Sequence, residues 1–251
     1  MPTWFSFGFQ DSSSISMGEL VFLHDHIMVI MLMIIFLIFY IMFYLVLNSS
    51  YYKFLSEGTF IETVWSIIPA FLLFFLVMPS MQVLYFMEDI KNPSFSIKVV
   101  AHQWYWTYIC PLFNNLSFKL SNSDSLFSLY EYDSMLDEDF SMSPRLLSSS
   151  SDLYIPVNTV TRFLITSTDV IHSFAIPSLG LKVDAVPGRI NQLFSNPSRV
   201  GSFFGQCSEI CGSNHSFMPI SLKVCGNEDF NKVSSSYFLD ILEESNLTMN
   251  I

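Results

Sequence analysis

Soft metal ligands cluster in one short stretch of this sequence, GQCSEICGSNHSFMPI at residues 205–220. Cys207 and Cys211 are followed by His215 and then by Met218. Zinc sites are built from cysteine, histidine and carboxylate ligands, whereas copper sites that transfer electrons combine cysteine and histidine with a weak axial methionine. The stretch therefore predicts a copper site. The alternative, a disulfide between the two cysteines, leaves the neighbouring histidine and methionine unexplained.

The second cysteine indicates a site with two metal ions. A mononuclear blue copper site uses one cysteine and two histidines, but two thiolates can bridge two copper ions. Two thiolates offset most of the charge of one Cu(I) and one Cu(II), so a buried site suffers little desolvation cost on reduction. Such a site needs another histidine, and the candidate is His172 in DVIHSFAIP, at the start of an expected turn. We expect the other cysteines, Cys110 and Cys225, to be small buried apolar residues.

The residues around these ligands predict an all-β domain. Short β-branched and aromatic segments, SFSIKVVAHQWYWTY at 94–108 and RFLITS at 162–167, alternate with proline-containing turns. This pattern is typical of a small sandwich or barrel. Within the first segment, the period of two predicts that His102, Trp104 and Trp106 share one face of a single strand.

Two long uncharged segments precede the β domain. Residues 27–47 and 63–87 contain no charged side chain, and about 20 apolar residues in a helix span a bilayer. We therefore predict a transmembrane helical hairpin within residues 1–89 and a water-exposed domain at 90–233, followed by a C-terminal tail at 234–251. The absence of Lys and Arg before the first segment is inconsistent with a cleaved signal peptide.

Composition agrees with this organisation and excludes one class of partner. The 251 residues are 51% hydrophobic and 13% charged, against about 25% charged residues in soluble domains. The formal net charge of −11 excludes a nucleic-acid-binding surface, which needs an excess of Lys and Arg. A Ser-rich, acidic insertion at 111–152 is expected to be irregular and solvated. Alternatively, it forms an acidic patch that attracts a basic partner.

Together these segments resemble one known family, mitochondrial cytochrome c oxidase subunit II. GQCSEICGSNHSFMPI resembles its copper-loop signature, residues 169–192 resemble its first-histidine segment, and AHQWYWTY at 101–108 resembles its aromatic segment. IETVWSIIPA at 61–70 and FGFQDS near the N-terminus also match. The resemblance covers nearly the whole chain. It implies two transmembrane helices followed by a cupredoxin-like Greek-key β-sandwich.

The resemblance also implies a function in a respiratory terminal oxidase. A binuclear copper centre, CuA, would accept electrons from cytochrome c and pass them to haem in subunit I, where oxygen is reduced to water with proton pumping. The side chain of Glu209 would bind a magnesium ion shared with subunit I, since a carboxylate suits that hard cation. No haem is expected in this chain. The implied copper ligands are His172, Cys207, Cys211, His215, Met218 and the backbone carbonyl of Glu209.

Further roles follow from the same resemblance. Trp104 would be an exposed indole where electrons arrive from cytochrome c, and Trp106 is a second candidate, whose alternative is a core aromatic. Glu62 would lie near the mouth of a proton pathway into subunit I, and its alternative is a carboxylate at the end of the second helix. The residues expected to dock a basic cytochrome c are Asp133, Asp137, Glu138, Asp139 and Asp169.

The implied partners are subunit I, the other complex IV subunits, cytochrome c and the lipid bilayer. Both termini and the β domain would lie in the intermembrane space of the mitochondrial inner membrane. A quinol-oxidase subunit II is disfavoured because it would lack the copper ligands that are present here. A membrane-tethered copper-delivery protein would not need Trp104, Glu62 or the magnesium carboxylate. A soluble CuA protein such as nitrous oxide reductase is excluded by the helical hairpin.

Overall fold

The fold consists of a helical unit and a β unit. A computed structural model describes residues 7–50, 52–54, 56–88, 92–111, 129–137 and 144–236. The helical unit is Glu19–Asp89, and the β unit combines Met1–Gly18 with Ile90–Ile251.

Two long helices account for the N-terminal third of the chain. Helix α1 is Ile15–Leu47 and helix α2 is Thr59–Glu88. Both are long and apolar enough to cross a membrane, and few of their side chains are buried. A helix that is apolar on every side is typical of a membrane span. The prediction of two long apolar helices is confirmed.

Helix α1 begins well before its uncharged segment. The polar triplet at residues 24–26 lies inside α1, because backbone hydrogen bonds of a helix continue whether or not the side chains are apolar. Pro69 and Pro79 lie within α2 without ending it.

Among the residues that the structure describes, the β unit has ten strands in three sheets. One sheet has five strands in the order β3-β2-β1-β5-β8, one has three in the order β4-β10-β9, and β6 pairs with β7. The pairs β1–β5 and β4–β10 are parallel. The strands are β1 Phe95–His102, β2 Tyr105–Pro111, β3 Leu129–Ser134, β4 Leu153–Pro156, β5 Thr161–Ser167, β6 His172–Ile176, β7 Leu181–Ala185, β8 Asn191–Ser195, β9 Gly201–Gln206 and β10 Pro219–Cys225.

The sheets share one hydrophobic core. Ile97 of β1 and Phe163 of β5 are buried with Leu222 of β10 and Phe174 of β6. Strand β5 alternates buried and partly exposed residues along its whole length, as expected for a strand with one face on a core. Burying each large apolar side chain contributes about 1.5–3 kcal/mol. The prediction of an all-β domain is confirmed.

The aromatic segment forms a hairpin, whereas its pattern predicts one strand. Strand β1 ends at His102, a turn follows at Gln103 and Trp104, and β2 returns so that Trp106 pairs with Ala101. The prediction that His102, Trp104 and Trp106 share a strand face is therefore wrong. The turn contains no Gly, Pro, Asn or Asp, so it lacks the usual turn signal.

Two other local expectations also differ from the structure. Residues 129–134, within the segment expected to be irregular, form strand β3 and pair with β2. His172, expected at the start of a turn, is the first residue of β6. Both strands are short, and a strand of five or six residues has little room to show its period of two.

The residues just before α1 and in its first turn pack on the rest of the β unit. The hydroxyl of Ser13 donates to the carbonyl of Ser178, and that of Ser14 donates to the carbonyl of Leu179. Met17 packs against Gly180, whose φ is +67°. The domain boundary at residue 89 would assign residues 7–18 to the helical part, whereas the structure groups them with the β domain.

Candidate metal centre

The predicted copper ligands come from two places in the β unit. Gln206 at the end of β9 pairs with Pro219 at the start of β10, so residues 207–218 close a hairpin, which we call the copper loop. His172 begins β6 and lies beside this loop, with its side chain completely buried. Two sheets therefore hold the ligands: β9 and β10 carry the copper loop, and the β6–β7 pair carries His172.

The donor atoms of the five side chains converge. The Sγ atoms of Cys207 and Cys211 are 4.0 Å apart. Nδ1 of His172 lies 3.9 Å from Sγ of Cys207. Nδ1 of His215 and Sδ of Met218 each lie 3.5 Å from Sγ of Cys211. The structure thus brings together all five side chains that the sequence predicts as copper ligands.

The backbone of Glu209 also faces this cluster. Its carbonyl oxygen accepts a hydrogen bond from the thiol of Cys207 at 3.3 Å. The carbonyl is therefore directed toward the same space as the side-chain donors. A loop that turns a carbonyl inward in this way adds a sixth donor to the group.

The chemistry of the donors fits copper. Both cysteines are free thiols, and their separation of 4.0 Å is about twice a disulfide bond length. In the described part of the chain, His172, Cys207 and Cys211 form the one group of three or more His, Cys, Asp or Glu ligands within 4.8 Å. Thiolates, imidazoles and a thioether are the ligands that copper electron-transfer sites use. The residues present therefore fit a copper centre.

The two thiols differ in acidity. Burial disfavours the Cys207 thiolate, but hydrogen bonds from His172 and from backbone groups outweigh burial and lower the pKa of Cys207. Burial and the neighbouring charge of Cys207 raise the pKa of Cys211. The first proton is thus lost easily and the second with difficulty, as expected for two close acidic groups. A metal ion would displace both protons.

Asp169 orients His172. Its Oδ1 lies 2.9 Å from Nε2 of His172, and its Oδ2 accepts a hydrogen bond from the backbone N–H of Gln103 at 2.6 Å. Burial raises the pKa of Asp169, but the hydrogen bonds from His172 and other groups lower it overall. The ionised carboxylate therefore holds the ring with Nδ1 toward Cys207, as partners of metal-binding histidines commonly do.

The two tryptophans occupy different environments. Trp104 is half-buried at the β1–β2 turn, whereas Trp106 is completely buried. The indole N–H of Trp106 donates to the carbonyl of Met218 at 3.4 Å, and its ring lies 6.1 Å from that of His172. The structure therefore favours the core alternative for Trp106.

Gln103, a polar residue next to the centre, was not predicted from the sequence. The side-chain Nε2 of Gln103 donates to the carbonyl of Cys211 at 2.8 Å. These residues are 108 positions apart, and a single glutamine in an aromatic segment carries no signal of such a contact. The motif HQWYW, which contains Gln103, is the one sequence feature that points to this residue.

The remaining predicted residues lie apart from the centre or outside the described structure. Glu62 is exposed in the first turn of α2. Asp133 is exposed and accepts a hydrogen bond from Oγ1 of Thr107 at 2.7 Å, and Asp137 accepts one from Ser148 at 3.2 Å. Glu138 and Asp139 lie outside the described residues.

Comparison with known proteins agrees with this centre. Residues 95–225 match the family described as cytochrome c oxidase subunit II, periplasmic domain, and residues 2–83 match the transmembrane domain of the same subunit. Cytochrome c oxidase subunit 2 of Rhipicephalus sanguineus is 48% identical over 240 residues, 94% of this chain and 100% of that protein. The corresponding protein of Ctenocephalides felis is 45% identical over 227 residues, 89% of this chain and 93% of that protein.

A solved structure supports the assignment of the β unit. The periplasmic domain of subunit II of cytochrome oxidase from Bradyrhizobium japonicum matches with a TM-score of 0.52 and 36% identity, covering 61% of this chain and 99% of that domain. The matches extend over both the helices and the β unit, and the β unit carries the converging His, Cys and Met donors. The chain therefore belongs to the cytochrome c oxidase subunit II family.

Proposed function

We propose that this cytochrome c oxidase subunit takes single electrons from cytochrome c through a binuclear copper centre and passes them to haem in subunit I. Oxygen would be reduced to water there, with proton pumping. The convergence of two thiols, two imidazoles and a thioether within the copper loop and at His172 carries the proposal.

In this proposal six residues hold the copper. When bound, the two copper ions supply one-electron redox chemistry. Cys207 and Cys211 would hold both ions, and strands β6, β9 and β10 of two neighbouring sheets keep the ligands in place. A buried, preorganised ligand set limits rearrangement when the charge of the centre changes. The proposed ligands are His172, Cys207, Cys211, His215, Met218 and the carbonyl oxygen of Glu209.

The surface around Trp104 supports docking of a basic electron donor. A shallow depression of about 420 Å³ lies beside Trp104. Asp133 and Asp137 stand two positions before and after Met135, one of its lining residues, in the sequence. An apolar contact surface with acidic residues around it suits a basic protein, because the charges attract it and the apolar surface packs against it. Glu138 and Asp139 would extend this acidic region. The lining residues are Trp104, Tyr105, Met135, Leu136, Asn214 and Phe217.

Three further roles belong to the proposal. The carboxylate of Glu209 would bind magnesium together with subunit I, because its own carbonyl already faces the copper ligands and carboxylates suit hard cations. Glu62 would serve the proton pathway into subunit I. Asp169, whose side chain is 28% exposed, would add negative charge to the docking surface as well as orient His172.

The two spans would anchor the subunit in the mitochondrial inner membrane. Both termini and the β domain would lie in the intermembrane space, and the segment between the helices in the matrix. Similarity to cytochrome c oxidase subunit 2 of animals supports this location.

Substitution of the two cysteines of the copper loop tests the proposal. Cys207→Ser and Cys211→Ser in the assembled oxidase should abolish the near-infrared copper absorption and the oxidation of cytochrome c. Cys225→Ser is the matched control, because this free thiol is half-buried in β10 outside the cluster. Retention of copper absorption and activity in either loop variant would refute the proposal. A copper, haem and magnesium stoichiometry of the isolated complex gives an independent measurement.

A further inference from the structure

The indole of Trp104 lies directly on the backbone of the copper loop. Gly212 follows Cys211 and has a φ of +131°, and a Cβ placed there would lie 3.1 Å from Cζ2 and 3.3 Å from Nε1 of Trp104. Carbon atoms in packed proteins normally approach to about 3.5–4.0 Å, so a side chain at 212 would displace the ring. Glycine therefore brings the indole into contact with the residue next to a copper ligand.

Packing, and not a hydrogen bond from the indole itself, holds the ring in this place. Nε1 of Trp104 is buried and finds no hydrogen-bond acceptor among the described residues, although buried tryptophan N–H groups usually have one. The ring packs against the hydrophobic core of the β unit. The contact with Gly212, and not a hydrogen bond, thus sets how closely the ring approaches Cys211.

Gln103 ties the turn that carries Trp104 to both sides of the metal centre. Its Nε2 donates to the carbonyl of Cys211 at 2.8 Å, and its backbone N–H donates to Oδ2 of Asp169 at 2.6 Å. Asp169 in turn contacts His172 through Oδ1. The turn is therefore bonded to one predicted copper ligand and to the partner of another.

We propose that Gly212 and Gln103 are positioning residues for electron transfer from Trp104 to the copper centre. Gly212 admits the indole to the surface of the copper loop, and Gln103 fixes the turn there. The inference rests on the proposed function, because it takes Trp104 as the residue at which electrons enter. One electron leaves the ferrous haem of cytochrome c, which is oxidised, and reduces the copper centre; no bond or proton changes.

The physical basis is the steep dependence of electron transfer on the gap between donor and acceptor. The rate of electron tunnelling falls exponentially as this gap widens, so an outward shift of the indole slows the transfer. A methyl group on Gly212 would push the ring outward by a few tenths of an ångström, since Cζ2 and Nε1 of Trp104 are in its way. It would also press on Nε2 of Gln103, which lies 3.3 Å from the added Cβ. Loss of the Gln103 amide would release the turn from Cys211.

The main test compares Gly212→Ala with Gly201→Ala in the purified oxidase. Gly201 also has a positive φ, +152°, but a Cβ there meets only Cζ of Phe203, at 3.9 Å, so this control reports backbone strain without displacement of Trp104. We measure copper reduction after rapid mixing with reduced cytochrome c, and the accessibility of Trp104 by hydroxyl-radical footprinting. We expect Gly212→Ala to slow copper reduction several-fold, with an intact near-infrared band and stronger labelling of Trp104. Gly201→Ala should change neither the reduction rate nor the labelling.

Gln103→Leu is the second variant, and it leaves every residue of the copper loop unchanged. We expect slower copper reduction, an intact band and stronger labelling of Trp104. If Gly212→Ala loses copper, the inference is tested by Gln103→Leu instead. A native rate of copper reduction together with native labelling of Trp104 in Gln103→Leu then overturns the inference. If Gly212→Ala retains its copper, a native reduction rate with native labelling of Trp104 in that variant also overturns the inference.

Trp104→Phe separates this inference from the proposed function. If Trp104→Phe reduces copper at the native rate, electrons do not enter at Trp104, and both the route and the inference fail. If Trp104→Phe is slow while Gly212→Ala and Gln103→Leu are as fast as the native oxidase, only the inference fails.

Discussion

The carboxylate of Asp169 lies 2.9 Å from Nε2 of His172, a side chain with no exposed surface. Burial lowers the pKa of His172, but its hydrogen bonds with Cys207 and Asp169 raise it overall. The pair therefore fixes which ring nitrogen faces the thiols. A residue that the sequence suggests as a docking acid has a second task inside the metal centre.

Asp169→Asn should weaken copper binding. An amide keeps the shape of the side chain but loses the charge that holds the His172 N–H, and loss of such a partner costs about 10–100-fold in metal affinity. Copper retention is measured against a graded series of chelators. Asp133→Asn is the control, because Asp133 contacts Thr107 and not the centre. Equal copper retention in both variants would leave Asp169 with the docking role alone.

Neutralising the acidic region should weaken the encounter with cytochrome c. We expect the combined Asp133→Asn, Asp137→Asn, Glu138→Gln and Asp139→Asn variant to raise KM about tenfold at low ionic strength, because charge steers association by 10–1000-fold. The effect should shrink at physiological salt, where the Debye length is about 8 Å. Steady-state oxidation across a salt series measures it, with the exposed Asp184→Asn as control. An unchanged salt dependence would assign the insertion to another contact.

Glu209→Gln should reduce magnesium and preserve copper. The copper centre uses the backbone carbonyl of Glu209 in our proposal, and this group survives the substitution, whereas the hard carboxylate is lost. Metal analysis of the isolated complex measures both ions, and the exposed Glu228→Gln serves as control. A full magnesium content in Glu209→Gln would show that its side chain is not a ligand.

Contacts between residues that are close in sequence could be predicted from the sequence, whereas contacts between distant residues could not. Cys207, Cys211, His215 and Met218 are close in sequence, and their spacing alone predicts a shared site that the structure then assembles. His172 is 35 positions from Cys207, and it is predicted as a ligand because the site needs a second imidazole. The hydrogen bonds that join Gln103 to Cys211 and Ser13 to Ser178 span 108 and 165 positions. No local pattern encodes contacts of that range, since the fold alone determines them.

The β1–β2 turn is a local feature, yet the local sequence pattern predicts it wrongly. Aromatic residues flank Gln103 and Trp104 on both sides, and strand propensity depends on packing context more than on residue type. The pattern therefore reads as continuous strand, although Trp104 is at the turn and Trp106 in the core. This difference separates the two tryptophans that the sequence treats alike.

Trp106→Phe should therefore lower stability and leave electron transfer intact. The smaller ring leaves a cavity beside Phe174, whose ring lies 5.4 Å away, and removes the hydrogen bond to the carbonyl of Met218. We expect a loss of about 2 kcal/mol, which corresponds to roughly 4–8 °C in the temperature at which the near-infrared copper absorption disappears. Copper reduction below that temperature should proceed at the native rate. A slowed reduction at native thermal stability would instead make Trp106 part of the electron path.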